Sequence, residues 1–203
     1  MIAYVETNFV LEVALLQDEH QDCLKILALA KKDSLRLVVP AVSLVEPYAT
    51  LTRRRKERGQ LCEVLSRELK HLIRSESYRR HKSAMDDIVS LLMRSGQEEK
   101  DRLNSAIREL LSVAEVIPLT ADVVASALAF QTQPGLSPPD ALVYASVRSH
   151  LDLAARGKSC FLNKNAKDFD VPDIQAALAQ RGCKILFSFR DGFGYIKSQL
   201  EKP

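Results

Sequence analysis

The sequence predicts an α/β fold: a parallel sheet with helices on both faces. Two patterns carry this expectation. Apolar runs of four or five residues recur along the chain, and helical patterns separate them. Short apolar strands joined by helices form parallel sheets covered on both sides. The length, 203 residues, suits one sizeable domain or one domain with an insert.

Ile2-Ala-Tyr-Val5 reads as the first strand, ended by Glu6-Thr-Asn8. Phe9, Val10, Val13, Leu15 and Leu16 then begin a helix, and a second helix starts near Glu19. Leu35–Val39 is the second strand, broken by Pro40. Ser43-Leu-Val-Glu46 has the S-x-x-acid pattern of a helix start, which Pro47 should kink or delay. Residues 48–113 read as helical throughout, in about three helices, with breaks expected at Gly59 and at Ser95-Gly96.

Glu115-Val-Ile-Pro118 is the third strand. Thr120 caps a helix over Ala121–Gln131, ended by Gln133-Pro-Gly135. Ser137 caps the next helix, with Pro138 at its first position and Asp140 at its third. Ala141, Leu142, Val143, Tyr144, Ala145 and Val147 make that helix apolar nearly all round, so it should be buried. Ser159–Leu162 is the fourth strand, followed by Asn163-Lys-Asn-Ala-Lys-Asp-Phe169. Pro172–Arg181 is a helix with Gly182 just beyond its end, Lys184–Phe187 the fifth strand, and Asp191–Leu200 a last helix.

Composition excludes several classes. Hydrophobic residues make up 46% and charged residues 27%, an ordinary globular balance. Cys23, Cys62, Cys160 and Cys183 lie far apart, without a CxxC, and read as buried free thiols of a reducing cytoplasm. The N-terminus lacks a basic stretch, and Glu6 and Glu12 interrupt its apolar run, unlike a secretory signal. No apolar stretch approaches membrane-spanning length, so no membrane is expected. Seven glycines form no phosphate loop, and no GxSxG is present. Residues 52–82 hold 11 Lys/Arg against four acids, while the whole chain is only +3. That asymmetry points to a polyanionic partner, although an isolated basic run is more often a solvated helix face.

The acids carry the chemistry. Ligands of open parallel sheets bind outside the carboxyl ends of the strands. Glu6 follows the first strand, Glu46 lies beyond the second, and Asn163, Asn165 and Asp168 follow the fourth. Asp140 reaches the same edge if its helix runs antiparallel to the fourth strand. Alone it reads as a capping acid. Two successive helices join strands three and four, so one of them must cross the sheet obliquely. Carboxylates gathered at one edge repel one another and suit a hard cation such as Mg²⁺ or Mn²⁺. His20, His71, His81 and His150 are scattered, which disfavours zinc.

Four segments together resemble the PIN-domain nucleases: Tyr4-Val-Glu-Thr-Asn-Phe-Val10, Val39-Pro-Ala-Val-Ser-Leu-Val-Glu46, Pro139-Asp-Ala-Leu-Val-Tyr-Ala145 and Phe161-Leu-Asn-Lys-Asn-Ala-Lys-Asp-Phe169. The resemblance implies a single three-layer α/β/α domain over residues 1–203, with a five-stranded parallel sheet ordered 3-2-1-4-5. A helical insertion then occupies about 52–113. It also implies metal-dependent hydrolysis of RNA or DNA phosphodiesters, and many small members look like toxins of toxin–antitoxin pairs. Glu46, Asp140 and Asp168 match the family's acids. Glu6 stands where Asp is usual, Asn165 where an acid is frequent, and Asn163 where Thr or Ser is frequent. Asn8 matches a polar residue that orients the first acid.

The resulting expectation is a cytoplasmic Mg²⁺- or Mn²⁺-dependent nuclease acting on RNA in preference to DNA. Glu6, Glu46, Asp140 and Asp168 are its candidate metal ligands and catalytic residues, and Asn8, Asn163 and Asn165 support them. Arg53, Arg54, Arg55, Lys56 and Arg58 are the candidate nucleic-acid contacts. An antitoxin partner and a homodimer both stay open. Two rivals remain: a nucleic-acid-binding protein without catalysis, and a protein-interaction module.

Overall fold

The computed structural model describes residues 1–132, 135–155 and 157–201. Five strands form one parallel sheet in the order β3-β2-β1-β4-β5: β1 Ile2–Val5, β2 Arg36–Pro40, β3 Ala114–Ile117, β4 Ser159–Leu162 and β5 Cys183–Leu186. This is the order that the family resemblance implies. Central strands β1 and β4 are apolar and buried almost throughout, as two covered faces require.

Strand alternation sorts the core into two layers. Ala3, Val5, Leu37, Val39, Cys160 and Leu162 point to one face. There they meet α1 Thr7–Leu15, α2 His20–Lys31, the base of α3 Ala41–Leu72, the end of α5 Lys82–Val113, and α10 Phe189–Leu200. Tyr4, Val38 and Phe161 point to the other. They pack against α6 Ala121–Thr132, α7 Pro138–Leu153 and α9 Pro172–Ala179. Gly192 of α10 lies so close to β4 that a Cβ there would stand 2.6 Å from Leu162 Cδ2.

Register brings the site's loops together. Val5 pairs with Leu162, so the next residues, Glu6 and Asn163, leave the sheet side by side. Pro40 pairs with Ile117. Helices α6 and α7 pack on each other and cover one face between edge strand β3 and inner strand β4. The end of α7 is pinned by His150, whose Nδ1 lies 2.8 Å from the Tyr4 hydroxyl and whose Nε2 lies 3.2 Å from Glu115 of β3. His150 is thus a helix-end residue under the sheet, not a ligand.

Several local expectations are corrected. Helix α3 begins at Ala41, with Pro40 as its N-cap, so Ser43-x-x-Glu46 is not its capping box. Pro47 is carried inside the helix, where its ring and neighbours Leu44 and Leu51 are buried. That packing offsets the lost hydrogen bond. Gly59 and Gly96 break nothing. Each sits within a 32-residue helix, and the chain turns instead at Ile73–Ser75 and Arg80–His81, around the four-residue α4 Glu76–Arg79. A glycine costs a helix only about 1 kcal/mol, and the pairing of α3 with α5 outweighs it. The last helix starts at Phe189, capped by Ser188, two residues earlier than its apolar pattern suggests. Gly135 has the positive φ of a turn (83°), while Gln133 and Pro134 lie outside the described residues. All four cysteines are buried and free. Among the described residues, no helix is long and apolar enough to cross a membrane.

Candidate metal centre and nucleic-acid cleft

An open cleft of about 530 Å³ lies outside the carboxyl edge of the sheet. Its lining includes Glu6, Glu46, Asp140 and Asn165, together with Arg53, Arg54 and Lys164.

Glu6 is the N-cap of α1: its Oε2 accepts the Asn8 backbone N–H at 2.9 Å. The other oxygen, Oε1, is buried and has no hydrogen-bond partner. Burial pushes the Glu6 carboxyl up to about 8; the Asn8 hydrogen bonds oppose this, and the charges of Glu46 and Asp140 add to it. Glu46 stands on α3, where its Oε2 accepts the Thr7 hydroxyl at 2.5 Å. Asp140 heads α7. Its backbone N–H donates to the Ser137 hydroxyl, and that hydroxyl donates to Asp140 Oδ2 at 2.5 Å.

Asn165 joins two of the acids. Its Nδ2 lies 3.3 Å from both oxygens of Asp140 and donates to Asp168 Oδ2 at 2.7 Å. Its own backbone N–H donates to Asn163 Oδ1 at 2.7 Å, and Asn163 is buried at the end of β4. Asp168 lies on the short helix α8 Ala166–Phe169 and meets the cluster through Asn165. The structure therefore groups Glu6, Glu46 and Asp140 around the cleft, with Asp168 behind Asn165.

The donor set suits a hard cation, because every candidate ligand is an oxygen and Glu6 Oε1 is buried without a partner. Among the described residues, however, no three His, Cys, Asp or Glu side chains stand close enough together to hold one ion.

The basic residues divide. Arg53 and Arg54 line the cleft. Lys56 is exposed. Arg55 lies along Gly96, its Cγ 3.6 Å from where a Cβ would stand. Arg58 is committed to the helix pair: it donates to both oxygens of Glu99 at 2.8 and 2.9 Å and to Ser95 at 2.9 Å.

Two residues of the cleft are missed by sequence reasoning. Glu12 is buried on α1 at 3% exposure. Its Oε1 accepts Lys164 Nζ at 2.6 Å, and its Oε2 accepts the Glu19 N–H at 2.9 Å. Burial would lower the Lys164 ammonium, but the bond to Glu12 and the charges of Glu12 and Glu19 hold it above its ordinary value. Glu19 in turn accepts from Ser188 and the Phe189 N–H at the head of α10. The available signal was a single acid among the apolar residues of the first helix, with a lysine directly after Asn163.

A parallel sheet ordered 3-2-1-4-5, with acids outside its carboxyl edge, defines a PIN-like α/β protein. The PIN domain family matches residues 4–169, and the chain belongs to it. The family is one of nucleases, generally dependent on divalent metal ions and acting on nucleic acids. No curated protein matches the chain.

Proposed function

We propose that this protein is a Mg²⁺- or Mn²⁺-dependent nuclease that hydrolyses phosphodiester bonds of RNA in preference to DNA, with Glu6, Glu46, Asp140 and Asp168 as its metal-holding acids. The observation that carries the reading is Glu6: a buried carboxylate with one unpartnered oxygen, facing a cleft shared with Glu46 and Asp140. Its ionised form is costly to a fold without a counter-charge, which is why burial makes it hold its proton and why a cation would be favoured there. A bound divalent ion would activate water and neutralise charge on the phosphate.

The chain's own residues do the rest. Thr7 holds Glu46, while Ser137 and Asn165 hold Asp140. Asn8 orients Glu6 through its backbone N–H, and Asn163 orients Asn165. Lys164, steadied by Glu12, stands as a cation at the cleft beside Asn165. Arg53 and Arg54 supply positive charge for the sugar–phosphate backbone. RNA is preferred on the family resemblance, which also supports an antitoxin-paired ribonuclease as the biological setting. The same resemblance supports reading residues 1–203 as one domain whose helical insertion occupies about 52–113.

Asn165, where the family frequently has an acid, and Glu6, where Asp is usual, favour a second reading, a PIN-like protein that binds nucleic acid without cutting it. Cleavage assays on RNA and on DNA, with Mn²⁺ and with EDTA, separate the two. The nuclease reading expects Mn²⁺-dependent, EDTA-sensitive cutting of RNA. Asp140→Asn should lower that cutting at least about a hundredfold while leaving oligonucleotide affinity intact or improved. Undiminished cutting by the variant would remove Asp140 from the site.

A further inference from the structure

Helix α3 carries positive charge well past the cleft. Arg53 lines the cleft, and Lys56, Arg67 and Lys70 follow it along the helix. Arg74 stands in the turn just beyond the helix end. At 3.6 residues per turn, the four helical side chains fall within a sector of about 100°. That sector is turned away from Leu51, Cys62 and Arg58, which pack towards the core and α5. All five cations are exposed. Arg67 and Lys70 also rim a groove that α3 shares with Val89 and Met93 of α5. From Arg53 to Lys70 the stripe runs about 25 Å, and Arg74 extends it.

These cations are unpaired. Among the described residues none of the five forms an ion pair, although Glu57 and Glu63 stand four residues from Arg53 and Arg67. Helix α5 shows the ordinary arrangement of a solvated face: Arg94 and Arg102 both reach Glu98, at 3.7 and 3.9 Å. On α3, Arg53 and Lys56, then Arg67 and Lys70, are like charges one turn apart, which repel. Glu63 is the one acid within their sector. A bound polyanion removes that repulsion. Residues 49–77 contain no Phe, Tyr or Trp. Single strands are held by stacking their bases on such rings. Duplex RNA is held by its phosphates and its shape.

We propose that the outer face of α3 is a docking track for a double-stranded arm of the RNA substrate, so that the protein selects stem-containing RNA over unstructured single strands. Arg53 belongs to both the cleft and the track, and this continuity selects nucleic acid over an acidic protein as the occupant. A strand that enters the cleft leads its own stem onto Lys56, Arg67, Lys70 and Arg74. The track is close to one turn of a double helix, on the order of ten base pairs. The inference rests on the nuclease reading for the polymer that enters the cleft, but it concerns binding and is testable without cutting.

The test is filter binding of the full chain in EDTA at several salt concentrations. One probe is an RNA hairpin with a stem of about twelve base pairs and a single-stranded tail, and the other is the same RNA scrambled so that no stem forms. Wild type should bind the hairpin about tenfold or more tighter than the scrambled strand. Arg67→Gln with Lys70→Gln and Arg74→Gln should remove that advantage and make the hairpin's salt slope shallower by about 2.7, with an unchanged circular dichroism spectrum. Should the triple variant fail to fold, Arg74→Gln decides instead, with a slope shallower by about 0.9. Equal affinity of wild type for the two RNAs overturns the proposal, and so does a variant that keeps the wild-type preference. Polyglutamate that competes as well as the hairpin also overturns it, and identifies the track as a surface for an acidic protein. Mn²⁺-dependent cutting without a stem preference overturns this proposal alone. A stem preference lost in the variant, without any cutting, supports the track and overturns the nuclease reading instead.

Discussion

Glu6 is where the chemistry of single residues is most exposed. Its carboxyl, pushed up to about 8 by burial, would titrate near 4.5 in the unfolded chain. Between those values the folded protein holds a proton that the unfolded chain has released, so stability falls as pH rises from about 4.5 to about 8 and is flat above. The loss is on the order of 5 kcal/mol. Glu6→Gln removes the titration, so the metal-free variant should be more stable than wild type at pH 9 and should lose the slope below pH 8. Denaturant melts at pH 6 and pH 9 check this. Equal pH dependence in both proteins would show that Glu6 is ionised throughout. A divalent ion must displace the same proton, so its affinity should climb as pH rises towards 8.

Among the elements, α3 has two jobs along its length. Its first turns carry Glu46, Thr50, Arg53 and Arg54 past the cleft, whereas Arg58 one turn further locks the helix to Glu99 of α5. Substituting the two cleft arginines therefore tests nucleic-acid contact without loosening the helix pair. Arg53→Glu with Arg54→Glu should weaken binding to oligonucleotides of any sequence. The slope of log affinity against log salt should become shallower by about 1.5 if two phosphate contacts are lost. Filter binding at several salt concentrations reads both. Equal slopes would make this stretch a solvated face. Arg58→Ala, by contrast, should leave the slope unchanged and lower stability, because it strands Glu99.

For the whole molecule, the acids near the cleft are a destabilising group without a counter-ion. Saturating Mn²⁺ binds the folded state only, and at a hundredfold excess over its dissociation constant adds about 2.7 kcal/mol. For a chain of 203 residues this is an upward shift in melting temperature of about 5–11 °C. Asp140→Asn, with one repelling charge fewer, should melt at or above wild type in EDTA and respond less to Mn²⁺. Thermal melts of both proteins in both conditions give the answer. An unresponsive wild type, with a variant less stable than it, would mean that the acids act as separate helix caps.

Much of this was determined by sequence alone. Apolar runs of strand length, each followed by an acid or an N-cap signal, located Glu6, Asn163, Asp140 and its cap Ser137 at strand and helix ends, because these signals act over only a few residues. The strand order came from resemblance rather than from any local pattern. Tertiary structure alone decided the rest. Glu12 and Lys164 lie 152 residues apart, and Arg58 and Glu99 lie 41 apart. Nothing in a local window couples such pairs. The same holds for Asn165, which reads as a weak substitute for an acid and proves to be the bridge between Asp140 and Asp168. Gly59 and Gly96 show the converse: a strong local signal for a break yielded to long-range packing of α3 on α5, since a helix penalty of about 1 kcal/mol is small beside a shared interface. Short-range propensity marks where elements begin and end. The meeting of side chains distant in sequence depends on how the crossovers lay the helices over the sheet, and that is a property of the folded chain as a whole.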